Sequence, residues 1–586
     1  MFKFSNLTLF LSSKDIKKRF ITLQFLFLFS SFFEVGGISL IGPLIYFTSD
    51  ADQAMQNDIF IYFFSLLNLE SYEQFLIIFS ILTLSFIIIG GLSSFLSVIY
   101  LSKIATSSGI NLSIQVFQKY LDLNWSEQLA IEKSQMINEI YQETVRVTQN
   151  IFLPILMINK SIFLSVVLVT FLFLVSWKVA ITLFLLLTAI YFVLFLILKR
   201  SLNSNSKILT DAHEKRYKFL NDTFEAMKQI RIWGNESLFQ DGFKVASDNW
   251  GNALRRNMNI SLLPRYVVET LILVCVAVGV GIFFYNPGDN FSANIPSISI
   301  FIFSAFKLLP AIQQIYSFIS TITGNIYSLN NLSSLLRDSR NQNFFDDDLK
   351  LSRFSKISLK NVSYQYPKTN FKMKDLNLEF KSGEIIGITG YSGSGKSTFV
   401  DILMGLIKPD EGMILINDSE LDIYENKHWF KKISYLPPKI HLINNSIESN
   451  IHFSDSLTID HDKVSLILDQ VNLKDLENNS ENIRVSNLNF SSGQIQRLGI
   501  ARAAYKDHEI IFYDEPTSAL DNQNRELFIN KIKLDKLNTL IVLITHDLAL
   551  LEITDKVLIF NNGEIDFFGT FNDASENSDI MESLSK

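Results

Sequence analysis

Cysteine is almost absent. The only one, Cys275, sits inside an apolar run, which excludes a disulfide framework and a cysteine metal site. An excess of cations is missing too. The 52 Lys and Arg stand against 59 Asp and Glu, a net charge of −7, which argues against a nucleic-acid protein. No cleavable signal peptide is evident: the first apolar run is long, follows Lys17-Lys18-Arg19 and lacks a small-residue cleavage site. It reads as a retained membrane anchor. The stretches 48–74 and 286–294 contain no Lys or Arg. What is abundant is apolar: 48% of 586 residues, with 51 Phe. That length calls for more than one core. The long apolar runs crowd into 1–330, while 351–586 reads as an ordinary soluble α/β domain.

Six runs, near 20–47, 75–102, 151–175, 179–198, 262–285 and 295–321, reach the ~20 helical residues that cross a hydrocarbon layer. Cation placement orients them. Lys3, Lys14, Lys17, Lys18 and Arg19 precede the first run, and a basic stretch from Lys199 to Arg256 follows the fourth. Both termini are therefore expected in the cytoplasm. The two inner loops, roughly 50 and 60 residues long, are helical in pattern, and long ordered loops are usually functional. Their tips are expected to reach the soluble domain near 141–150 and 221–236. Charges inside spans are costly and mark function by default. Glu34, Arg265, Glu269 and Lys307 stand out. Arg265 and Glu269 are four apart and either pair or line a pathway. Lys307 is expected to face a polar cavity. Two cations on a cavity suit an anionic cargo such as a phosphate. Gly36, Gly37 and Gly42-Pro43 beside Glu34 read as close helix packing or a kink. The polar segment 337–355 reads as a linker between a membrane domain, 1–336, and a nucleotide domain, 356–586.

In the second half Gly390-Tyr391-Ser392-Gly393-Ser394-Gly395-Lys396-Ser397 fits the phosphate-binding loop. A buried strand precedes it and a helix over 399–404 follows it, so phosphates would sit on a helix N-terminus, with Thr398 among the nucleotide-binding residues. Lys396 can reach the β- and γ-phosphates, and the Ser397 hydroxyl can ligate Mg²⁺. Ile510-Ile511-Phe512-Tyr513-Asp514 is a strand ending in a carboxylate suited to Mg²⁺, and Glu515 is placed as general base. Ser491, Gly493 and Gln494 come shortly before it and Asp521 shortly after it. His546 closes another apolar strand at the spacing of a γ-phosphate sensor, and Tyr366 is placed to stack on adenine.

In this order these motifs resemble the ATPase of ABC transporters over 356–570. The resemblance implies ATP and Mg²⁺ as cofactors and a pair of domains sandwiching two ATP molecules. Ser491 and Gly493 of one subunit would contact the γ-phosphate held by Lys396 of the other. One membrane half and one ATPase half imply a partner, most simply a second copy. The expected fold is thus a six-span α-helical domain of the exporter type followed by an α/β phosphate-loop domain. Within the exporters, Phe33-Glu34-Val35-Gly36-Gly37, Leu263-Pro264-Arg265-Tyr266 and Lys307-Leu308-Leu309-Pro310, with the stretch 50–68, resemble PglK-type flippases of lipid-linked oligosaccharides. That resemblance implies an anionic lipid-linked glycan as cargo in the bilayer, with Arg265 and Lys307 on its path. An exporter of a peptide, lipid or drug, or an ATP-driven regulator moving no cargo, stays open as an alternative. Two departures stand out. The second span has no cation near Ile89-Gly90-Gly91, so the diphosphate path is expected to differ. Pro438 stands where such ATPases place a glutamine, and proline offers no side-chain oxygen and no N–H, so slower or differently coupled hydrolysis is expected.

Overall fold

The computed structural model describes residues 14–49, 71–285, 291–337 and 353–577, apart from 367–370, 425, 454–458 and 480–489, with scattered positions between 55 and 69. The expected linker, the 50–68 stretch and the Cys275 side chain lie largely outside the described residues. The chain divides into two units, Met1–Leu123 with Ala130–Arg340, and Asn124–Leu129 with Asn341–Lys586.

The first unit is helical because hydrocarbon offers no partner to a backbone N–H or C=O, so each must be satisfied within its own helix. It holds α1 (Lys14–Ser49) and α2 (Tyr72–Leu121). The short α3 (Trp125–Leu129) belongs to the other unit. The long α4 (Leu153–Glu225), the short α5 (Met227–Trp233), α6 (Glu236–Tyr285) and α7 (Phe291–Arg337) complete the first unit. Among the described residues, three helical stretches are long and apolar enough to cross a membrane: Asp15–Thr48, Tyr72–Leu121 and Lys133–Leu174. Hydroxyls within these helices bond back to their own carbonyls, as Ser39 Oγ does to Gly36 O at 2.7 Å and Thr83 Oγ1 to Phe79 O at 2.8 Å. α1 and α2 pack closely where Gly90 leaves room: a Cβ there would lie 2.9 Å from the Glu34 nitrogen.

α4 is helical throughout, yet it cannot be straight. Thr170 and Thr188, and likewise Ile162 and Phe195, line one cavity of 420 Å³. Residues 162 and 195 on a straight helix would be about 50 Å apart. The chain therefore doubles back between them, and α4 supplies two antiparallel arms. Between α3 and α4 the chain is helical from Lys133 on and contains two π-turn segments, Glu139–Glu143 and Thr148–Phe152. This corrects the expectation for 141–150. Instead of forming a tip, the segment lies inside the membrane unit. Its buried Arg146 pairs with Glu143 at 3.0 Å and donates to Thr210 Oγ1 at 3.1 Å and Ser328 Oγ at 3.3 Å. The loop segment grouped with the second unit is Asn124–Leu129, whose Trp125 packs against that unit's core.

The second unit has two sheets. β1 (Lys356–Gln365), β2 (Lys372–Lys381), β4 (Glu411–Ile416) and β5 (Ser419–Glu420) form an antiparallel sheet in the order β2-β1-β4-β5. The other sheet runs β10-β9-β3-β8-β7-β6. Its members are β3 (Ile385–Gly390), β6 (Ile433–Leu436), β7 (Ile510–Asp514), β8 (Leu540–Ile544), β9 (Lys556–Asn561) and β10 (Glu564–Gly569). β3 and β8 are buried at every position, as continuous apolar strands covered on both faces must be. β3 and β8 are parallel neighbours, as are β8 and β7. Their carboxyl ends thus deliver the phosphate loop, Asp514 and Thr545-His546 to one edge, where ligands of open α/β sheets bind.

Candidate nucleotide site and intramembrane charge cluster

The phosphate loop joins β3 to α8 (Lys396–Leu403). Gly390 has φ +139, and a Cβ there would lie 2.2 Å from Phe560 O, so only glycine lets the loop leave β3. Gly393 (φ +79) and Gly395 (φ +109) are likewise in the left-handed region that glycine enters without penalty. A cavity of 550 Å³ opens there. It collects Tyr366, Ser392, Gly393, Gly395, Lys396, Ser397, Thr398, Asp514, Glu515 and His546 from four separate stretches of sequence. Phe371, Pro438 and Ile544 complete its wall. The sequence reading missed Phe371. Its ring lies 6.4 Å from Tyr366, and a Cβ at Gly395 would strike it. Tyr366 also bonds through its hydroxyl to Thr398 Oγ1 at 3.3 Å.

Lys396 Nζ donates to Gly390 O at 2.6 Å and Tyr391 O at 2.9 Å, which holds the ammonium at the loop. The Ser394 hydroxyl is buried without a partner among the described residues. Burial pushes the Asp514 carboxyl up to about 6, aided by the Glu515 charge and opposed by Lys396. Burial lowers the Lys396 ammonium, against the pull of Glu515 and Asp514. His546 is also lowered, first by burial and then by Lys396, which favours neutral imidazole at pH 7. Glu515 has φ +49, a strained conformation for a side-chain-bearing residue. Its N–H is held by Ile544 O at 2.9 Å, and Gln496 Nε2 donates to Pro516 O at 3.0 Å. The turn off β7 is thereby fixed, and Glu515 stands beside the cavity.

These residues fit Mg²⁺ and a nucleoside triphosphate. A cation would favour the Asp514 carboxylate, whose protonation burial now promotes. Ser397 and Asp514 would hold the metal, which supplies charge neutralisation to the phosphates. Lys396 would bind phosphate oxygens, and Glu515 stands where it would orient and deprotonate water. Ser491, Gly493, Gln494 and Asp521 do not line this cavity. Ser491 caps α9 (Ser492–Tyr505) through a reciprocal bond with Gln494, and Asp521 caps α10 (Asn522–Asp535).

In the membrane unit, Lys307 Nζ meets Glu34 Oε2 at 2.8 Å. Glu34 is therefore more than a neighbour of packing glycines. Arg265 pairs with Glu269 along its own helix at 2.8 Å, whereas the Lys307 pair joins two helices. That separates it from Lys307. Lys160, which sequence reasoning overlooked, donates to Ser94 O at 3.2 Å and Ser94 Oγ at 2.8 Å. The charges of Glu34 and Lys307 both act on it. The signal was available: Lys160 is an ionisable residue inside the third apolar run.

Residues 20–306 match the family described as ABC transporter transmembrane region, and 373–518 match the one described as ABC transporter. The chain has the build of an ABC exporter half-transporter. A solved bacterial Atm1-family ABC exporter with ATP bound superposes with a TM-score of 0.79 over 97% of this chain and 98% of its own, at 16% identity. A putative export ATP-binding/permease protein of Rickettsia felis is 24% identical over 66% of each chain. The nisin transport ATP-binding protein NisT of Lactococcus lactis is 29% identical over 45% of this chain and 47% of its own. The chain thus spans about half to two thirds of the length of the curated relatives it matches. The fold expected from sequence, a helical membrane domain followed by a sheet-and-helix nucleotide domain, is the fold observed.

Proposed function

We propose that the half-transporter pairs with a second copy and couples ATP hydrolysis to outward flipping of an anionic amphiphile, a polyprenyl-diphosphate glycan. Both termini and the ATPase domain face the cytoplasm in this reading. Glu515 serves as general base and His546 contacts the γ-phosphate. Tyr366 stacks on adenine. Ser491, Gly493, Gln494 and Asp521 act on the nucleotide of the facing subunit.

The observation that carries the cargo class is the intramembrane cluster of Lys307, Glu34 and Lys160. Lys307 pairs with the Glu34 carboxylate, while Lys160 is held by the neutral oxygens of Ser94, so one cation is without an ion pair among the described residues where charge is costly. A phosphate or diphosphate would compensate it. Lys160 supplies, from the third span, the cation that the second span lacks: it reaches Ser94, one helical turn beyond Gly90-Gly91. Arg265, already matched by Glu269, is the weaker candidate for the path.

The test is ATP-dependent flipping of a fluorescent polyprenyl-diphosphate oligosaccharide in proteoliposomes, with Glu515→Gln alongside. Flipping that needs Glu515 supports the reading. Hydrolysis without flipping discards the glycolipid and leaves an exporter of something else. A peptide cargo is the second reading. NisT favours it, as does a cavity of 540 Å³ where Arg146, Gln149, Asn257 and Asn325 stand among apolar side chains such as Leu209 and Met258. Peptide-stimulated hydrolysis in the same proteoliposomes would separate the two.

A further inference from the structure

The cavity of 420 Å³ in the membrane unit lies between the two arms of α4 and α7. Its size falls within the ~300–1,000 Å³ of small-molecule sites. Val166, Val169, Phe192, Phe195, Ile312 and Ile315 make it apolar. Two hydroxyls interrupt that lining. Ser165 is 6% exposed and Tyr191 5%, and both hydroxyl oxygens are buried without a hydrogen-bond partner among the described residues.

Two other hydroxyls on the same wall are satisfied. Thr170 Oγ1 donates to Val166 O at 2.8 Å, and the Tyr316 hydroxyl donates to Ile260 O at 3.2 Å. Among the hydroxyls that line the cavity, Ser165 and Tyr191 are thus set apart from Thr170 and Tyr316. A buried donor without an acceptor destabilises the fold, and a ligand that supplies the acceptor removes that cost. No Lys, Arg, Asp or Glu lines the cavity, so a phosphate or ammonium would find no counter-charge there.

We infer that this cavity is a ligand site for an uncharged hydrophobic molecule carrying one hydrogen-bond-accepting group, of the class of long-chain esters, with the Ser165 and Tyr191 hydroxyls donating to that group. The site is distinct from the Lys307 cluster. Tyr191 packs on Tyr316 with ring centroids 5.5 Å apart, so an occupant bears on both α4 and α7, the helix that carries Lys307. Its binding regulates the exporter by holding those helices together.

The experiment uses the full chain in lipid nanodiscs and a diazirine-bearing palmitate methyl ester as probe, with labelled residues mapped by mass spectrometry. Labelling is expected on 162–170 and 188–195. Competition by methyl palmitate should be roughly tenfold stronger than by hexadecane, which lacks the acceptor. Ser165→Ala with Tyr191→Phe should lower labelling several-fold while melting no earlier, because the pair removes only unpaired hydroxyls. Val169→Trp, which fills the cavity, should abolish it. Labelling spread evenly over outward apolar residues such as Phe95 and Ile99 would mean annular lipid only. That result, equal competition by the two compounds, unchanged labelling in the double variant, or no labelling because a second copy covers the cavity would each overturn the assignment.

Discussion

The nucleotide cavity and the intramembrane cluster are both built around a lysine, and they are built in opposite ways. Lys396 is held by carbonyls five and six residues away in its own loop. Lys307 of α7 is held by Glu34 of α1, and Lys160 of α4 by Ser94 of α2. In the first case the ligand-binding geometry is local backbone geometry. In the second it exists only once several helices have packed. The contrast teaches that motif strength and site strength are different properties: the membrane cluster has far weaker motifs than the phosphate loop, yet Lys307 and Glu34 face one another in a medium that screens them poorly.

The sharpest test of the local site is Glu515→Gln. Phosphate release is expected to fall by at least ~100-fold, while equilibrium binding of the Mg·ATP complex persists. Loss of both together would mean that Glu515 shapes the cavity rather than the chemistry.

Next in size are the membrane cations. Lys307→Met and Lys160→Met should each cut the cargo-stimulated part of ATPase activity by ~10-fold, since a charge-assisted hydrogen bond contributes about 1.5–3 kcal/mol. Arg265→Met should do little. Glu34→Gln should move cargo affinity the other way, because it removes the carboxylate that competes with an anion for Lys307. Equal losses in all four variants would erase the distinction between Lys307 and Arg265.

A smaller effect concerns Pro438, which lines the nucleotide cavity and brings no polar atom to it from its side chain. Pro438→Gln is expected to speed hydrolysis several-fold and to strengthen its dependence on cargo. An unchanged rate and unchanged stimulation would show that this position is idle.

The smallest expected effect lies in the membrane unit's polar interior. Burial, then Arg146 and Arg216, lower His213 from 6.5 to about 4. The Trp250 indole donates to its Nε2 at 2.8 Å, which fixes the neutral ring with its proton on Nδ1. The unfolded state therefore binds more protons between the two values. The contribution is present above pH 6.5 and is lost as pH falls toward 4. Melting in detergent should show uptake of one proton by this group over that window, and His213→Gln should remove that component.

Much of this molecule is legible without coordinates. The phosphate loop, Asp514, Glu515 and His546 were readable because each closes a strand whose continuous apolar residues announce it, and parallel strands present their carboxyl ends together. Phe371 was missed because it carries no chemistry and reaches the cavity only through β1–β2 pairing and the space left by Gly395. The segment 141–150 was placed at a loop tip because its helical pattern does not reveal depth. The buried pair of Glu143 and Arg146 is what holds it inside.

By itself, the sequence determined two things: apolar runs that leave the backbone no option but helices, and a run of motifs that fold locally around a phosphate. Tertiary structure alone decided which charges meet. Glu34, Lys160 and Lys307 are scattered over three helices, and nothing in their spacing encodes the match. Helix packing, set by steric fit at positions such as Gly90, brings them together. Once desolvated, a charge is governed by its nearest opposite charge, not by its neighbours in sequence.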